Sequence, residues 1–511
     1  MNSTFYDYRR SFIATFLALF IVLKLGATQS SQREEDRISR ENQAVLDRIT
    51  ADSLRGHLSF IASDLLEGRD TPSRGLEIAS EYIAAQFRRA GLEPLGDNGY
   101  FQTANMLVTV PQLIGFSLVI SRKEGDIEVG PEQVTMFLDA GLNVSRAKLF
   151  KVNSDDPATI ASLTPDQVGG QVIIAERSRS GWGDVLEKLY ALKPSLIIRV
   201  SRQMVRSDGV ATRRLIDPER REAEKPPANA PVLAVVNQNV LDFFDETKTG
   251  LTGATVSLRA PAAVEKPVKL RNVIGLLRGS DPALMGTYVF VTAHYDHLGV
   301  DRSGRIYNGA NDNGSGTVTV MELASAIASR ATHPRRGVVF MTFFGEEKGA
   351  IGSEYYVRRP VLPIEKTVAD VNLEQLGRTD SLEGPQVASA TLTGFDFTDM
   401  TATFIAAGKL TGIRMYKHER FSDRYFNYSD NRPFAEQGIP AQTLGVLFQY
   451  PDYHDVGDKA NKIDYDNMAK VDRLVALGLL MIADAPGAPR WNEASPRTTP
   501  YVQAWKLRHP Q

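Results

Sequence analysis

Two histidines and a set of carboxylates in the C-terminal half have the residue types and chain order of a two-metal hydrolase centre. They are His294, Asp312, the adjacent pair Glu346 and Glu347, then Glu374 and His454. Imidazole and carboxylate donors suit zinc, with cobalt or manganese as substitutes. Two cations roughly 3.5–4 Å apart need a carboxylate between them, and Asp312 is the best candidate for that bridge. A further carboxylate must take a proton from water and pass it to a leaving amine. The pair Glu346-Glu347 can supply one base and one ligand, and burying two adjacent carboxylates without a cation would be costly. Asp296, two residues after His294, is placed to fix the tautomer of a metal-bound imidazole. His297 has no evident task and reads as structural, as do His57, His333, His418 and His509.

Other chemistries lack their signatures. The chain has no cysteine, which excludes disulfides, thiolate ligands and a cysteine nucleophile. It contains neither a Gly-x-Ser-x-Gly elbow nor a His-Glu-x-x-His pair, so serine-hydrolase and single-zinc helix readings have no support. A formal net charge of −2 on 511 residues gives no reason to expect nucleic acid as a partner.

The elements needed to position these residues can be read from the hydrophobic pattern. Tyr288–Ala293, Val338–Phe344, Val368–Leu373 and Gln442–Phe448 are apolar, β-rich runs. His294, Glu346-Glu347, Glu374 and His454 follow them. Asp312 lies in a Gly/Asn-rich loop, Asn308 to Gly316, directly before a helical pattern over Gly316–Ile327. Strands alternating with helices predict an α/β fold with a mostly parallel central sheet sandwiched by helices. Ligands in such folds collect beyond the carboxyl ends of the strands, where these residues fall.

The remaining segments divide the chain. Arg9 and Arg10 precede an apolar run, Ser11 to Leu23, and Leu25-Gly26-Ala27 resembles a cleavage site. The run is too short for a membrane span and suits a signal peptide over 1–27; an uncleaved anchor is the alternative, and Arg9-Arg10-Ser11-Phe12-Ile13 also resembles a twin-arginine export signal. Residues 28–50, polar and charged, read as a loose helix or linker. Leu54, Leu58, Ile61 and Leu65, then Ile78, Tyr82, Ile83 and Phe87, recur at helical spacing. Residues 105–261 carry short β-rich runs, Leu113–Ile120 among them, and one helix near Trp182–Leu192. Arg202 to Asn229, charged and Pro-containing, reads as a surface loop. The tail 489–511 is expected to pack poorly.

Val291-Thr-Ala-His-Tyr-Asp-His-Leu-Gly299, the Asn-Asp-Asn core of 308–316, Phe344-Gly-Glu-Glu347, Asn372-Leu-Glu374 and Tyr453-His454 together resemble the bacterial di-zinc aminopeptidases related to glutamate carboxypeptidase, peptidase family M28. Ala62-Ser-Asp-Leu-Leu-Glu-Gly-Arg69 looks like that family's opening helices, and 105–261 resembles a protease-associated insert. The resemblance implies a zinc exopeptidase fold with a catalytic domain over 51–104 and 262–488. It implies one metal on His294, Asp312 and Glu374, a second on Asp312, Glu347 and His454, Glu346 as general base and Asp296 orienting His294. Two departures stand out: Glu374 where the family pattern commonly has Asp, and Asn431 in Ser429-Asp430-Asn431 where many relatives have His. Asp370 is a weak substitute for Glu374, while Asp430 and Asp458 are candidates for supporting contacts. Arg424, Tyr425, Asn427, Tyr428 and Tyr450 should wall the cleft.

The expected function is an exported di-zinc metallo-exopeptidase acting on peptides, an aminopeptidase in preference to a carboxypeptidase. A single-zinc, glutaminyl-cyclase-like enzyme and a non-catalytic receptor-like module are the alternatives.

Overall fold

The computed structural model describes residues 37–137, 141–176, 182–200, 202, 214–224, 231–301 and 303–509. The proposed signal segment and most of the charged stretch after Arg202 lie outside them. Among the described residues no helix is long and apolar enough to cross a membrane.

A ten-stranded sheet organises the chain. Its strands run in the spatial order Arg414–Met415, Ser389–Leu392, Ala441–Gly445, Thr367–Leu373, Tyr288–His294, Gly337–Phe343, Val264–Leu277, Phe101–Val110 and Arg214–Ile216, and Glu93–Pro94 pairs beside Val264–Leu277. The four strands from Ala441–Gly445 to Gly337–Phe343 are mutually parallel. Beyond them the pairings with Val264–Leu277 and Ser389–Leu392 are antiparallel. The four-stranded parallel run occupies the centre and is the part buried on both faces, while one further parallel pair, Ser389–Leu392 with Arg414–Met415, lies at the edge. Every residue of Gly337–Phe343 and of Ala441–Gly445 is buried, which is why these segments read as continuous apolar runs and not as alternating ones.

Helices cover the sheet. Gly316–Ala328 and Tyr465–Asp484 are almost entirely buried. Ala51–Ile61 and Arg74–Arg89 join the same core through Leu54, Leu58, Ile61, Leu76, Ile83 and Phe87. Each of these two opening helices begins on a side-chain cap, Thr50 accepting from the Ser53 amide and Ser73 from the Leu76 amide, a common N-terminal device.

A second sheet of eight strands occupies 117–260, in the order Gly125–Val129, Ser117–Arg122, Gly250–Ala260, Leu142–Val152, Val172–Glu176, Leu196–Val200, Val232–Val235 and Val134–Phe137. It has its own apolar clusters. The two sheets are joined by a ribbon, Phe101–Val110 against Val264–Leu277, in register from Phe101–Val273 to Val110–Val264. That ribbon runs straight through positions 104/105, and the change of sheet falls near 111–116 and at 261–263.

Three segments differ from the sequence reading. The strand expected from Leu113 starts at Ser117, and Leu113 and Ile114 are exposed on the connection. Within the charged segment, Arg214–Ile216 adds to the edge of the large sheet, followed by helix Pro218–Glu224. Asp217 there receives Arg359 at 3.0 Å, and Arg220 meets Glu354 at 2.9 Å. The C-terminal tail is packed. Trp491, Tyr501 and Val502 bury against Phe426 and Phe434, Thr499–Arg508 is helical, and the Trp491 indole N–H donates to the Gly438 carbonyl at 2.8 Å. Apolar aromatics in a Pro- and Arg-rich stretch supply enough buried area to hold it down. Trp491→Ala should therefore cost about 3 kcal/mol, read as a lower urea midpoint; an unchanged midpoint would mean that the tail is not docked in solution.

Candidate metal centre

The carboxyl ends of the parallel strands bring the six residues into one cleft. His294 ends its strand, Glu346 and Glu347 open the turn after Gly337–Phe343, and Glu374 directly follows Thr367–Leu373. His294 Nε2 lies 3.5 Å from Asp312 Oδ1, 3.6 Å from Glu374 Oε1 and 3.9 Å from Glu346 Oε2. His454 Nε2 lies 3.0 Å from Asp312 Oδ2 and 3.4 Å from Glu347 Oε2. The two oxygens of Asp312 thus face different imidazoles, as a bridging carboxylate would.

Each of these side chains is held from behind. Asp296 accepts from Thr71 Oγ1 at 3.0 Å and from the Glu346 amide at 3.1 Å. His294 Nδ1 faces the Asp296 carbonyl at 3.2 Å and its carboxylate at 3.5 Å, which leaves Nε2 for the cleft. Glu374 accepts from the Ser429 hydroxyl, itself fixed by Asn372 Nδ2 at 2.7 Å. Asp458 accepts from the Asn311 and Asp312 amides at 2.9 and 3.0 Å and from Tyr450 at 3.0 Å. The asparagines flanking Asp312 stitch its loop to the neighbouring strand end. Asn313 Nδ2 donates to the Leu373 carbonyl, and Asn311 Oδ1 accepts from the Gly377 and Arg378 amides.

Arg69 is the support the sequence does not advertise. Its guanidinium is 0 % exposed and donates to four backbone carbonyls, those of Ile61, Tyr295, Asn308 and Gly309. It therefore ties the end of an opening helix to both metal-bearing loops. Glu67, Gly68 and Arg69 all have positive φ (49°, 66° and 53°), a turn that drives the arginine inward. A Cβ on Gly68 would lie 2.3 Å from the Tyr307 carbonyl oxygen, so only glycine fits there. The strain of two left-handed non-glycine residues is offset by those hydrogen bonds.

Other expected residues sit elsewhere. Asp370 is buried beneath the cleft and accepts from Thr292 at 2.9 Å, so it does not stand in for Glu374. Tyr425 and Tyr428 line the cleft together with Thr393, Phe448 and Gln449. Arg424, Asn427 and Tyr450 do not; Asn427 accepts from Tyr501 instead. Asn431 accepts from Thr443 at 2.9 Å and donates to the Phe426 carbonyl, a purely internal role. His297, read as structural, places Nδ1 2.7 Å from Glu347 Oε1. His297, Asp312 and Glu347 form a compact group of potential ligands.

The electrostatics call for a cation. Burial pushes the Glu346 carboxyl well above its usual range despite the attraction of His294, with Glu374 and Glu347 adding repulsion. Burial raises Glu374 to about 7 and Asp430 to about 6. Burial also disfavours charge on His294, but the neighbouring carboxylates, Glu346 foremost, outweigh it and hold that imidazole well above its ordinary value. Asp312 goes the other way: the hydrogen bond and charge of His454 overcome burial and lower it. His297 Nε2 is buried with no hydrogen-bond partner among the described residues. Carboxylates and imidazoles converging with spare lone pairs fit a divalent cation.

Residues 272–478 match the model of peptidase family M28. The matched segment includes every residue named above as lining the cleft. The fold is also that of bacterial aminopeptidases. The aminopeptidase of Aneurinibacillus sp. strain AM-1 superposes with a TM-score of 0.61 over 89% of this chain and 97% of its own, at 18% identity. The zinc aminopeptidase BSAP of Bacillus subtilis gives 0.57 over 84% and 94%, also at 18% identity. Among curated proteins, a probable zinc metalloprotease of Leptosphaeria maculans is 27% identical over 44% of this chain and 60% of its own length. Aminopeptidase YwaD of Bacillus subtilis is 29% identical over 37% of this chain and 39% of its own. The chain thus spans less than two thirds of these curated relatives.

Two expectations follow for the site and its supports. Arg69→Met, which strands four buried carbonyls, should destabilise the chain by about 3 kcal/mol or more and should loosen the loops of 295–297 and 308–312. Hydrogen exchange at Asn311 and Asp312 would report this, and unchanged protection would contradict it. With chelator present, the native state holds protons on Glu346, Glu374, Asp430 and His294 that the unfolded chain releases. Stability should therefore fall as pH rises from the ordinary carboxylate range to about 7. Asp312, being lowered, opposes this only at more acid pH. Melting at pH 5 and pH 8 would test it, and a higher midpoint at pH 8 would refute it.

Proposed function

We infer that the protein is an exported di-zinc metallo-exopeptidase and that it is an aminopeptidase. The observation that carries the choice of terminus is the charge of the cleft. Its cavity, about 390 Å³, is lined by Asp312, Glu346, Glu347 and Glu374 and by neither lysine nor arginine. A carboxypeptidase must pair its substrate's terminal carboxylate with a cationic or donor-rich site. Among the described residues this lining holds no lysine or arginine for that role. Zinc fits the donor set of two imidazoles and several carboxylates, and the names of the relatives in Leptosphaeria maculans and Bacillus subtilis support the peptidase reading. Export rests on the apolar run after Arg9 and Arg10.

His294, Asp312 and Glu374 would hold one zinc, and Asp312, Glu347 and His454 the other. When bound, the pair supplies Lewis acidity towards the scissile carbonyl and makes water acidic enough to ionise near neutral pH. Glu346 then accepts the water proton and returns it to the leaving amine nitrogen. Its carboxylate lies in the cleft, 3.9 Å from His294 Nε2, beside the residues that would hold the metals. Ser429 holds Glu374, and Asp296 holds His294, in the orientation the cleft requires. Tyr425, Tyr428 and Phe448 form the apolar wall against which a side chain packs.

Glu346→Gln should leave metal content unchanged and lower kcat by about 10²–10⁴-fold; retention of the wild-type rate would remove Glu346 from the reaction. Peptides with free N-termini should be trimmed one residue at a time, and N-acetylated ones spared. Release of residues from the C-terminus would overturn the assignment of terminus.

A further inference from the structure

We propose that His297 is a positioning residue for Glu347: its Nδ1–H holds one carboxylate oxygen, so that only the other is presented to a cation. The inference rests on the metallopeptidase reading above but concerns a residue outside that ligand set. His297 is fully buried, and its Nδ1 lies 2.7 Å from Glu347 Oε1. Glu347 Oε2, the other oxygen, faces His454 Nε2 at 3.4 Å. An ionised carboxylate only accepts, so the hydrogen bond assigns the proton to Nδ1.

The surroundings fix the ring in that role. The His297 amide donates to the Arg69 carbonyl at 3.2 Å. Gly309, at φ +55°, passes so close that a Cβ there would lie 2.3 Å from His297 Cγ. The Gly309 carbonyl is in turn held by Arg69 at 2.9 Å. On its far side the ring meets His454 edge-on, with centroids 5.8 Å apart. Its Nε2 has no hydrogen-bond partner among the described residues. A histidine kept only for packing would be expected to satisfy both nitrogens when buried. Leaving one orphaned is costly, which is understandable where the other nitrogen orients a ligand carboxylate. One loop would thus supply an imidazole for one metal, through His294, and the brace for a ligand of the other, through His297.

The test uses the full chain and zinc alone, with affinities read by competition against a chromophoric chelator. Wild type must first bind two zinc ions; failure there defeats the metallopeptidase reading and not this one. His297→Leu and His297→Asn have nearly the same size, but only asparagine can donate to Glu347 from the place of Nδ1. H297L should weaken one of the two sites by about 10–100-fold and spare the other, while H297N should restore most of the loss. In an E347A background H297L should have no further effect on zinc binding, a result that general loss of packing would not give. Equal affinities for wild type, H297L and H297N would overturn the proposal. Should H297L fail to fold, nitrogen-15 spectra of the zinc-loaded wild type decide instead: His297 should be the neutral tautomer protonated at Nδ1, and protonation at Nε2 would refute it.

Discussion

Like charges buried together are the constraint around which this molecule is built. Asp312, Glu346, Glu347 and Glu374 converge on two imidazoles at the carboxyl edge of a parallel sheet. The cluster is half-buried, and among the described residues no ammonium or guanidinium lines the cleft. Without a cation the site answers by keeping protons on groups that would otherwise release them. With cations, the same carboxylates would become ligands and one would be left over as a base. The arrangement is thus poor as a stabilising core and well suited to holding metal, a division of labour expected where function sets the local charge.

The surrounding scaffold spends its polar interactions on geometry. Arg69 clamps the 295–297 and 308–309 loops through their carbonyls, Asp458 collects the amides of Asn311 and Asp312, and the two asparagines of the loop reach across to 373–378. These contacts are mostly side chain to backbone, so they fix where the chain runs without adding further titrating groups to the cleft. The apolar sheet and its helices provide rigidity beneath. Loops placed on such a frame can be held to the tolerance that metal coordination requires.

The parts legible in the sequence are those with a local signature. Continuous apolar runs predicted the central strands because burial on both faces erases alternation. His294, Glu346-Glu347, Glu374 and His454 could be named because each follows such a run, and Asp312 because its Gly/Asn-rich loop leads into a helix. What escaped has no local mark. Arg69 sits in a turn whose purpose appears only when distant carbonyls arrive. His297 resembles an idle histidine until Glu347, fifty residues on, is folded beside it. Arg214–Ile216 looked like loop because two or three residues suffice to extend an existing sheet edge. The tail was misjudged because composition outweighed Trp491 and Tyr501 in the reading, whereas in the fold those two rings stack at 5.0 Å and decide the matter.

The account stands or falls on cations occupying the carboxylate cluster. Elemental mass spectrometry of the full chain, purified without chelator, measures this most directly. Two zinc ions, or an equivalent pair of divalent cations, per chain is the predicted result. A chain that binds none, even after reconstitution with zinc, would contradict it and would leave the buried carboxylates without the partner their burial demands.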